Sequence, residues 1–224
     1  MDDPAARRFA AGLALAAAAR ADAIDVEVDG VRRVVLVEGE SDRAAVVAFA
    51  VRLGRDLAEE GVVVAAMNGA TNLPRYLRVL CAPGVALPIA GLCDVQEAGV
   101  FRRALEDVGL AGAGDELADL GFFACVRDLE DELLRALGLD EATAVLREGT
   151  DGPRFEKMRR QPAQRTRSLA DQLHRFIGTA AGRKERVART FAERIPLERI
   201  PAPILDLLAF TATDVDARTG PPAR

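Results

Sequence analysis

Short apolar segments alternate with segments of helical pattern along much of the chain, and this alternation restricts the fold more than any other feature of the sequence. The apolar segments lie at residues 31–37, 62–67, 86–93 and 121–126. The helical patterns follow them at residues 42–53, 71–80, 98–108 and 129–137. Strands and helices that alternate at this spacing form βαβ units. We therefore predict an α/β fold with a mainly parallel sheet and helices on both of its faces.

The composition agrees with a buried sheet in a protein of the cytoplasm. Hydrophobic residues make up 50% of the chain and aromatic residues only 4%, so the core is built from aliphatic side chains, as buried parallel sheets usually are. The three cysteines have no CxxC spacing, which favours buried thiols in a reducing compartment. The apolar run at residues 9–19 is too short to span a bilayer. We expect a cytoplasmic protein without membrane contact.

We divide the chain into four regions. They are an N-terminal helix (1–28), a catalytic core (29–150), a basic helical appendage that completes the active site (151–210) and a disordered tail (211–224). The helical appendage begins where the strand–helix alternation ends.

The charge is distributed unevenly over these regions, although the net charge is only −5. Residues 1–153 carry 15 Lys and Arg against 27 Asp and Glu, whereas residues 154–189 carry 11 against 3. A charge run is usually a solvated face, but this asymmetry also suits an acidic catalytic body with a basic segment that holds a polyanion.

Carboxylates follow the predicted strands at the points where these strands end. Glu38 follows the first strand, Asp94 the third, and Asp128 and Glu130 the fourth, while Asp42 opens the helix after the first strand. The carboxyl ends of parallel strands meet at one crevice, so we expect these acids to lie together. Clustered carboxylates are costly unless a cation is present, and oxygen ligands without His or Cys suit Mg²⁺ or Mn²⁺. Such a site supports phosphoryl transfer or phosphodiester hydrolysis.

Asp42 and Glu38 differ in whether a purely structural role can explain them. Asp42 is equally suited to stabilising the helix for which we predict Ser41 as the N-cap. Glu38 has no packing reason to stand between an apolar strand and Gly39, and the glycine lets the backbone approach a ligand.

Four segments resemble the TOPRIM domain, and specifically the nuclease half of OLD-family proteins. They are VVLVEGESDRAAV at 34–46, NGATNLPRYL at 68–77, GLCDVQEAGVFRRAL at 91–105 and FFACVRDLEDELLRAL at 122–137. The resemblance covers residues 31–190 and implies a Rossmann-like TOPRIM sheet. It also implies a metal-dependent nuclease.

The resemblance assigns roles to the acids. Glu38 would be a metal ligand or a general acid/base, Asp42 and Asp94 would be metal ligands, Glu130 would complete a second metal site, and Asp128 is a further candidate ligand. The family's usual Asp-x-Asp motif here reads Asp94-Val95-Gln96, so we expect weaker binding of a second cation. Glu97 is the nearest replacement, but on regular geometry its offset of one residue points it elsewhere.

The basic appendage supplies the remaining candidates. Lys184 lies in a glycine-containing turn before a helix, and the resemblance suggests that it stabilises the transition-state phosphate; a solvated surface lysine is the alternative. His174, the only histidine, is expected to pack or to lie at the surface. Contacts to nucleic-acid phosphates are predicted for Arg159, Arg160, Arg165, Arg167 and Arg183.

OLD-family proteins generally join an ABC-type ATPase to the nuclease, whereas no GxxxxGK[ST] motif occurs here. We expect a free-standing nuclease half that hydrolyses DNA with Mg²⁺ or Mn²⁺. An ATPase acting in trans and a second copy of the chain are candidate partners. Two alternatives stay open: a nuclease that processes RNA, and a non-catalytic nucleic-acid-binding module.

Overall fold

The computed structural model of the chain describes residues 4–19, 28, 30–180 and 182–213. Its centre is a parallel sheet of the strands β1 Arg33–Val37, β2 Val62–Ala66, β3 Ile89–Asp94 and β4 Phe122–Cys125. The strand order is β2-β1-β3-β4, and every neighbouring pair is parallel. The predicted α/β fold with a mainly parallel sheet is confirmed.

The strand order places a topological switch point between β1 and β3. After β1 the chain adds β2 on one side, then crosses back and adds β3 on the other side of β1. In open parallel sheets, ligands bind outside the carboxyl ends of the strands at such a point. The acids that follow β1 and end β3 therefore lie where this fold class places its functional crevice.

Eleven α-helices are found in the described residues. In chain order they are α1 Pro4–Ala19, α2 Glu40–Arg52, α3 Leu73–Leu80, α4 Ala98–Asp107, α5 Leu129–Leu137, α6 Leu139–Glu148, α7 Gly152–Arg159, α8 Pro162–Arg165, α9 Leu169–Gly178, α10 Arg183–Arg194 and α11 Ala202–Ala212. None of those described is long and apolar enough to cross a membrane.

The helices bury both faces of the sheet in two apolar clusters. One cluster joins α1, α3 and α4 to the sheet, and the other joins α2, α5–α7 and α9–α11 to its opposite face. Side chains of β1 alternate between the clusters: Val34 and Leu36 enter the first, while Val35 and Val37 enter the second. Period-two alternation with apolar residues on both sides explains why the strand appears in the sequence as a continuous apolar run.

Close packing between the central strands requires a glycine at position 91. A Cβ atom there would lie 2.5 Å from the carbonyl oxygen of Leu36 and 2.9 Å from Cε1 of Phe122. Gly91 therefore keeps β1, β3 and β4 together just below the carboxyl ends that carry the acids.

Two local predictions were wrong. The N-cap of α2 is Gly39, and Ser41 lies inside the helix, because Asp42 rather than Ser41 accepts a hydrogen bond from the backbone at this end. The strand predicted from residue 86 begins at Ile89, because Ala86 has a positive φ of 39° and Pro88 cannot donate a ladder hydrogen bond.

The predicted end regions are described only in part. Of the N-terminal helix predicted over 1–28, α1 is described, whereas residues 1–3 and 20–27 lie outside the described residues. Of the tail predicted from residue 211, the first two residues belong to α11, and residues 214–224 lie outside the described part of the chain.

Candidate metal centre

Three acids meet at the switch point of the sheet. Glu38 follows the last residue of β1, Asp94 is the last residue of β3, and Glu97 belongs to the 3-10 turn Val95–Glu97. Each offers a carboxylate oxygen, and these oxygens all lie within 4.8 Å of one another. All three residues are half-buried, so the cluster concentrates negative charge at a partly solvent-accessible edge of the sheet.

Glu97 was expected to point elsewhere, and this expectation was wrong. The reasoning extended regular strand geometry past Asp94, but β3 ends at that residue and the chain enters a tight turn. The turn brings Glu97 back towards Glu38 and leaves Gln96 exposed. The sequence feature that could have indicated this position is an acid placed three residues after the end of a strand, where a tight turn is possible.

A second group of charges lies beside the first. Asp42 on α2 accepts a hydrogen bond from the backbone N–H of Gly39 through Oδ2, at 2.7 Å. Glu130 on α5 is buried, and its Oε2 lies 3.1 Å from Nζ of Lys184 on α10. The structure therefore joins the basic helical segment to the acidic sheet edge through a lysine–glutamate ion pair.

The crowding of carboxylates shifts their protonation. Burial, reinforced by Glu38, Glu97 and further acids, raises the pKa of Asp94 to about 7. Burial and Glu130 raise the pKa of Asp42 to about 7, against the opposing effects of Lys184 and the Gly39 N–H. Burial and Glu38 likewise raise the pKa of Glu97.

The neighbouring acids favour the charged form of Lys184. Burial alone would lower the pKa of Lys184, but Glu130, Asp42 and Glu38 outweigh it and raise that pKa. Its side chain is still 46% exposed, so Lys184 pairs with Glu130 and remains accessible to solvent.

The donor set at the site fits a divalent cation. Glu97 Oε2 and Glu130 Oε1 are buried and have no hydrogen-bond partner among the described residues. A buried polar atom without a partner costs free energy, and native proteins rarely tolerate one without compensation. An oxygen-only set suits Mg²⁺-like ions rather than zinc. Glu38, Asp94 and Glu97 would hold one cation, and Asp42 with Glu130 would flank it.

Asp128, the remaining predicted ligand, caps α5. Its Oδ1 accepts a hydrogen bond from the backbone N–H of Asp131 at 2.9 Å, and its Oδ2 lies 2.6 Å from Nε2 of His174. Its charge also contributes to the raised pKa of Asp94. The residue therefore borders the acidic cluster, but hydrogen bonds engage both of its oxygens.

The five predicted phosphate-contacting arginines have different surroundings. Arg160, Arg165 and Arg167 are exposed around α8, whereas Arg159 donates to Gln172 Oε1 at 3.0 Å. Arg183 is buried, donates to Asp151 Oδ1 at 3.1 Å and lies 3.9 Å from the centre of the Phe176 ring. Arg183 thus fixes the start of α10, and its buried guanidinium does not suit the predicted phosphate contact.

Comparisons with known proteins relate part of the chain to a known domain family. Residues 31–95, which contain β1 to β3, match the family described as overcoming lysogenization defect protein-like, TOPRIM domain. The chain carries an OLD-like TOPRIM domain. Domains of this type are metal-binding and nuclease-like. No curated protein matches the chain significantly.

Solved structures of OLD proteins extend the likeness beyond those residues. The C-terminal region of the Burkholderia pseudomallei OLD protein shares 22% identity and the fold, with a TM-score of 0.61 over 81% of this chain and 97% of that one. The C-terminal region of the Xanthomonas campestris pv. campestris OLD protein is 25% identical, with a TM-score of 0.61 over 80% of this chain and 91% of that one. The OLD-like fold therefore includes much of the helical segment after β4.

Proposed function

We propose that the chain hydrolyses phosphodiester bonds in DNA with Mg²⁺ or Mn²⁺ held at the switch point of its TOPRIM sheet. One observation carries the proposal: Glu38, Asp94 and Glu97 converge at the carboxyl ends of β1 and β3, beside a lysine supplied by another part of the chain. A cation bound by such acids supplies water activation and neutralises charge on a phosphate.

The residues of the chain have separable roles in this proposal. The three clustered acids bind and orient the cation, and their mutual repulsion in its absence makes the site selective for positive charge. Lys184 presents a half-exposed ammonium group at the same crevice, where it stabilises negative charge that develops on the phosphate. Glu130 holds that ammonium group through its ion pair.

The exposed arginines around α8 support the choice of a nucleic-acid substrate. Arg160, Arg165 and Arg167 are exposed on the same helical segment that supplies Lys184. Contacts of this kind bind the phosphate backbone and give affinity without reading base sequence. The likeness to OLD proteins also supports an ATPase partner in trans, which would act on the same substrate.

Cleavage assays with matched variants test the proposal. Purified protein is incubated with supercoiled plasmid, linear duplex, single-stranded DNA and structured RNA, in EDTA, Mg²⁺ or Mn²⁺. Glu38→Ala should abolish cation-dependent cleavage. Glu40→Ala should retain it, because that nearby glutamate is exposed and pairs with Arg43 outside the cluster.

The substrates distinguish the alternatives. Cleavage of RNA but not DNA by the wild type would replace the DNA nuclease with an RNA-processing enzyme. Binding of DNA without cleavage under any condition, even with an ATPase of the family added, would contradict hydrolysis and leave a nucleic-acid-binding module.

A further inference from the structure

His174 has a contact that the proposed function does not use. It is the only histidine of the chain, lies on α9, and its side chain is 24% exposed. Its Nε2 approaches Oδ2 of Asp128 to 2.6 Å across 46 positions of sequence. In the tautomer with the hydrogen on Nε2, the ring donates this bond to the Asp128 carboxylate.

Asp128 is fixed from two directions. The backbone N–H of Asp131 binds Oδ1 within the first turn of α5, while His174 binds Oδ2 from a separate helix. Two bonds to different oxygens restrict rotation of the carboxylate group. Each oxygen keeps a further lone pair, since a carboxylate offers about four acceptor positions.

The fixed carboxylate lies at the same end of the sheet as the metal centre. Asp94, one of the three clustered acids, pairs with Cys125 at the end of β4, and Asp128 follows as the N-cap of the helix that carries Glu130. The charge of Asp128 also contributes to the raised pKa of Asp94. Partners that hold the acids of a metal site in place affect cation affinity, typically by about 10–100-fold when they are lost.

We propose that His174 is a positioning residue for the cation site, which it controls by holding the Asp128 carboxylate in one orientation beside Asp94. The inference rests on the proposed function, because it requires a cation to bind at the strand ends. His174 contacts neither the phosphate nor the three clustered acids in this proposal; it acts through Asp128.

A purely structural role would be the tethering of α9 to α5, and matched variants separate the two roles. His174→Gln keeps an N–H donor that can reach Asp128, whereas His174→Leu fills similar space without a donor. Loss of tethering alone would lower the melting temperature of the leucine variant and leave its cation affinity unchanged.

Calorimetric titration with Mn²⁺ and Mg²⁺ measures the effect without any substrate. We expect His174→Leu to weaken cation binding by about 10–100-fold and His174→Gln to restore most of the affinity. At saturating Mn²⁺ the cleavage rate of the leucine variant should return towards that of the wild type. Wild-type affinity in a folded leucine variant would overturn the inference and leave the proposed function intact.

The single histidine allows a second measurement on the unmodified protein. Bound Mn²⁺ should broaden the ring-proton resonances of His174 at substoichiometric amounts, because paramagnetic relaxation falls steeply with distance. Calorimetric binding of Mn²⁺ without this broadening would place the cation away from Asp128 and overturn the inference. Absence of cation binding by either method would overturn the proposed function together with it.

Discussion

Replacement of Asp94 by asparagine should stabilise the cation-free protein at neutral pH. The pKa of Asp94 is raised from 3.8 to about 7 by burial and by Glu38, Glu97 and other acids. Between these pH values the folded state keeps a proton that the unfolded chain has lost. The free energy of unfolding therefore falls as the pH rises from about 4 to about 7, and the full penalty is present above that range.

The size of the effect follows from this pKa difference. A difference of about three pH units sets a ceiling of about 4 kcal/mol. Asp94 is only half-buried, so solvent screening reduces the charge effect, and the amide still pays part of the desolvation cost. We expect about 1–2 kcal/mol, which corresponds to about 2–8 °C in melting temperature for a domain of this size.

Thermal unfolding in EDTA at pH 5 and pH 8 measures this effect. Asp94→Asn should melt above the wild type at pH 8, with a smaller difference at pH 5. The exposed Asp119→Asn serves as the matched control and should change neither temperature. Excess Mg²⁺ should stabilise the wild type, by about 2.7 kcal/mol at one hundred times Kd, but not Asp94→Asn. An asparagine variant that melts at or below the wild type at pH 8 would refute the electrostatic reasoning.

Three further predictions concern the lysine, the arginines and the sheet. Lys184→Ala should lower kcat at saturating cation by about 10²–10³-fold, whereas Lys157→Ala, a change of the exposed lysine on α7, should be neutral in the same assay. Joint replacement of Arg160, Arg165 and Arg167 by alanine should lower the slope of log K against log salt by about 2–3 in filter-binding titrations, and Arg78→Ala on α3 should not. Gly91→Ala should cost about 1–3 kcal/mol in urea unfolding, because its Cβ would meet the backbone of Leu36, while Gly99→Ala, which meets nothing within 4 Å, should not destabilise.

The fold was predictable because each strand is buried on both faces. A continuous apolar run such as Val34–Val37, followed by Glu38 and Gly39 and then by a helical pattern, is typical of a strand that is buried on both faces of a parallel sheet. The strand order was not predictable from these patterns, since every strand is similarly apolar. The exact ends of the helices were not predictable either. Ser41 is a good N-cap residue, yet α2 begins after Gly39, whose backbone N–H donates to the Asp42 side chain.

The site was predictable only where its residues end a strand. Glu38 and Asp94 follow from strand ends alone, since parallel strands bring their carboxyl ends together. Glu97 was expected to point elsewhere because the tight turn that positions it is not visible in the sequence. The contact of His174 with Asp128 was not predictable either, because it joins helices that are distant in sequence. Arg183 looked like one more basic residue, but its partner Asp151 is 32 positions away and buried.

The most direct test of the metal centre is the anomalous scattering of crystals soaked in Mn²⁺. We predict an anomalous difference peak in coordination distance of Glu38, Asp94 and Glu97, and its loss in Glu38→Ala crystals. A peak bound elsewhere on the surface, or no peak at a Mn²⁺ concentration that supports cleavage, would contradict the assignment of the strand-end acids as the metal centre.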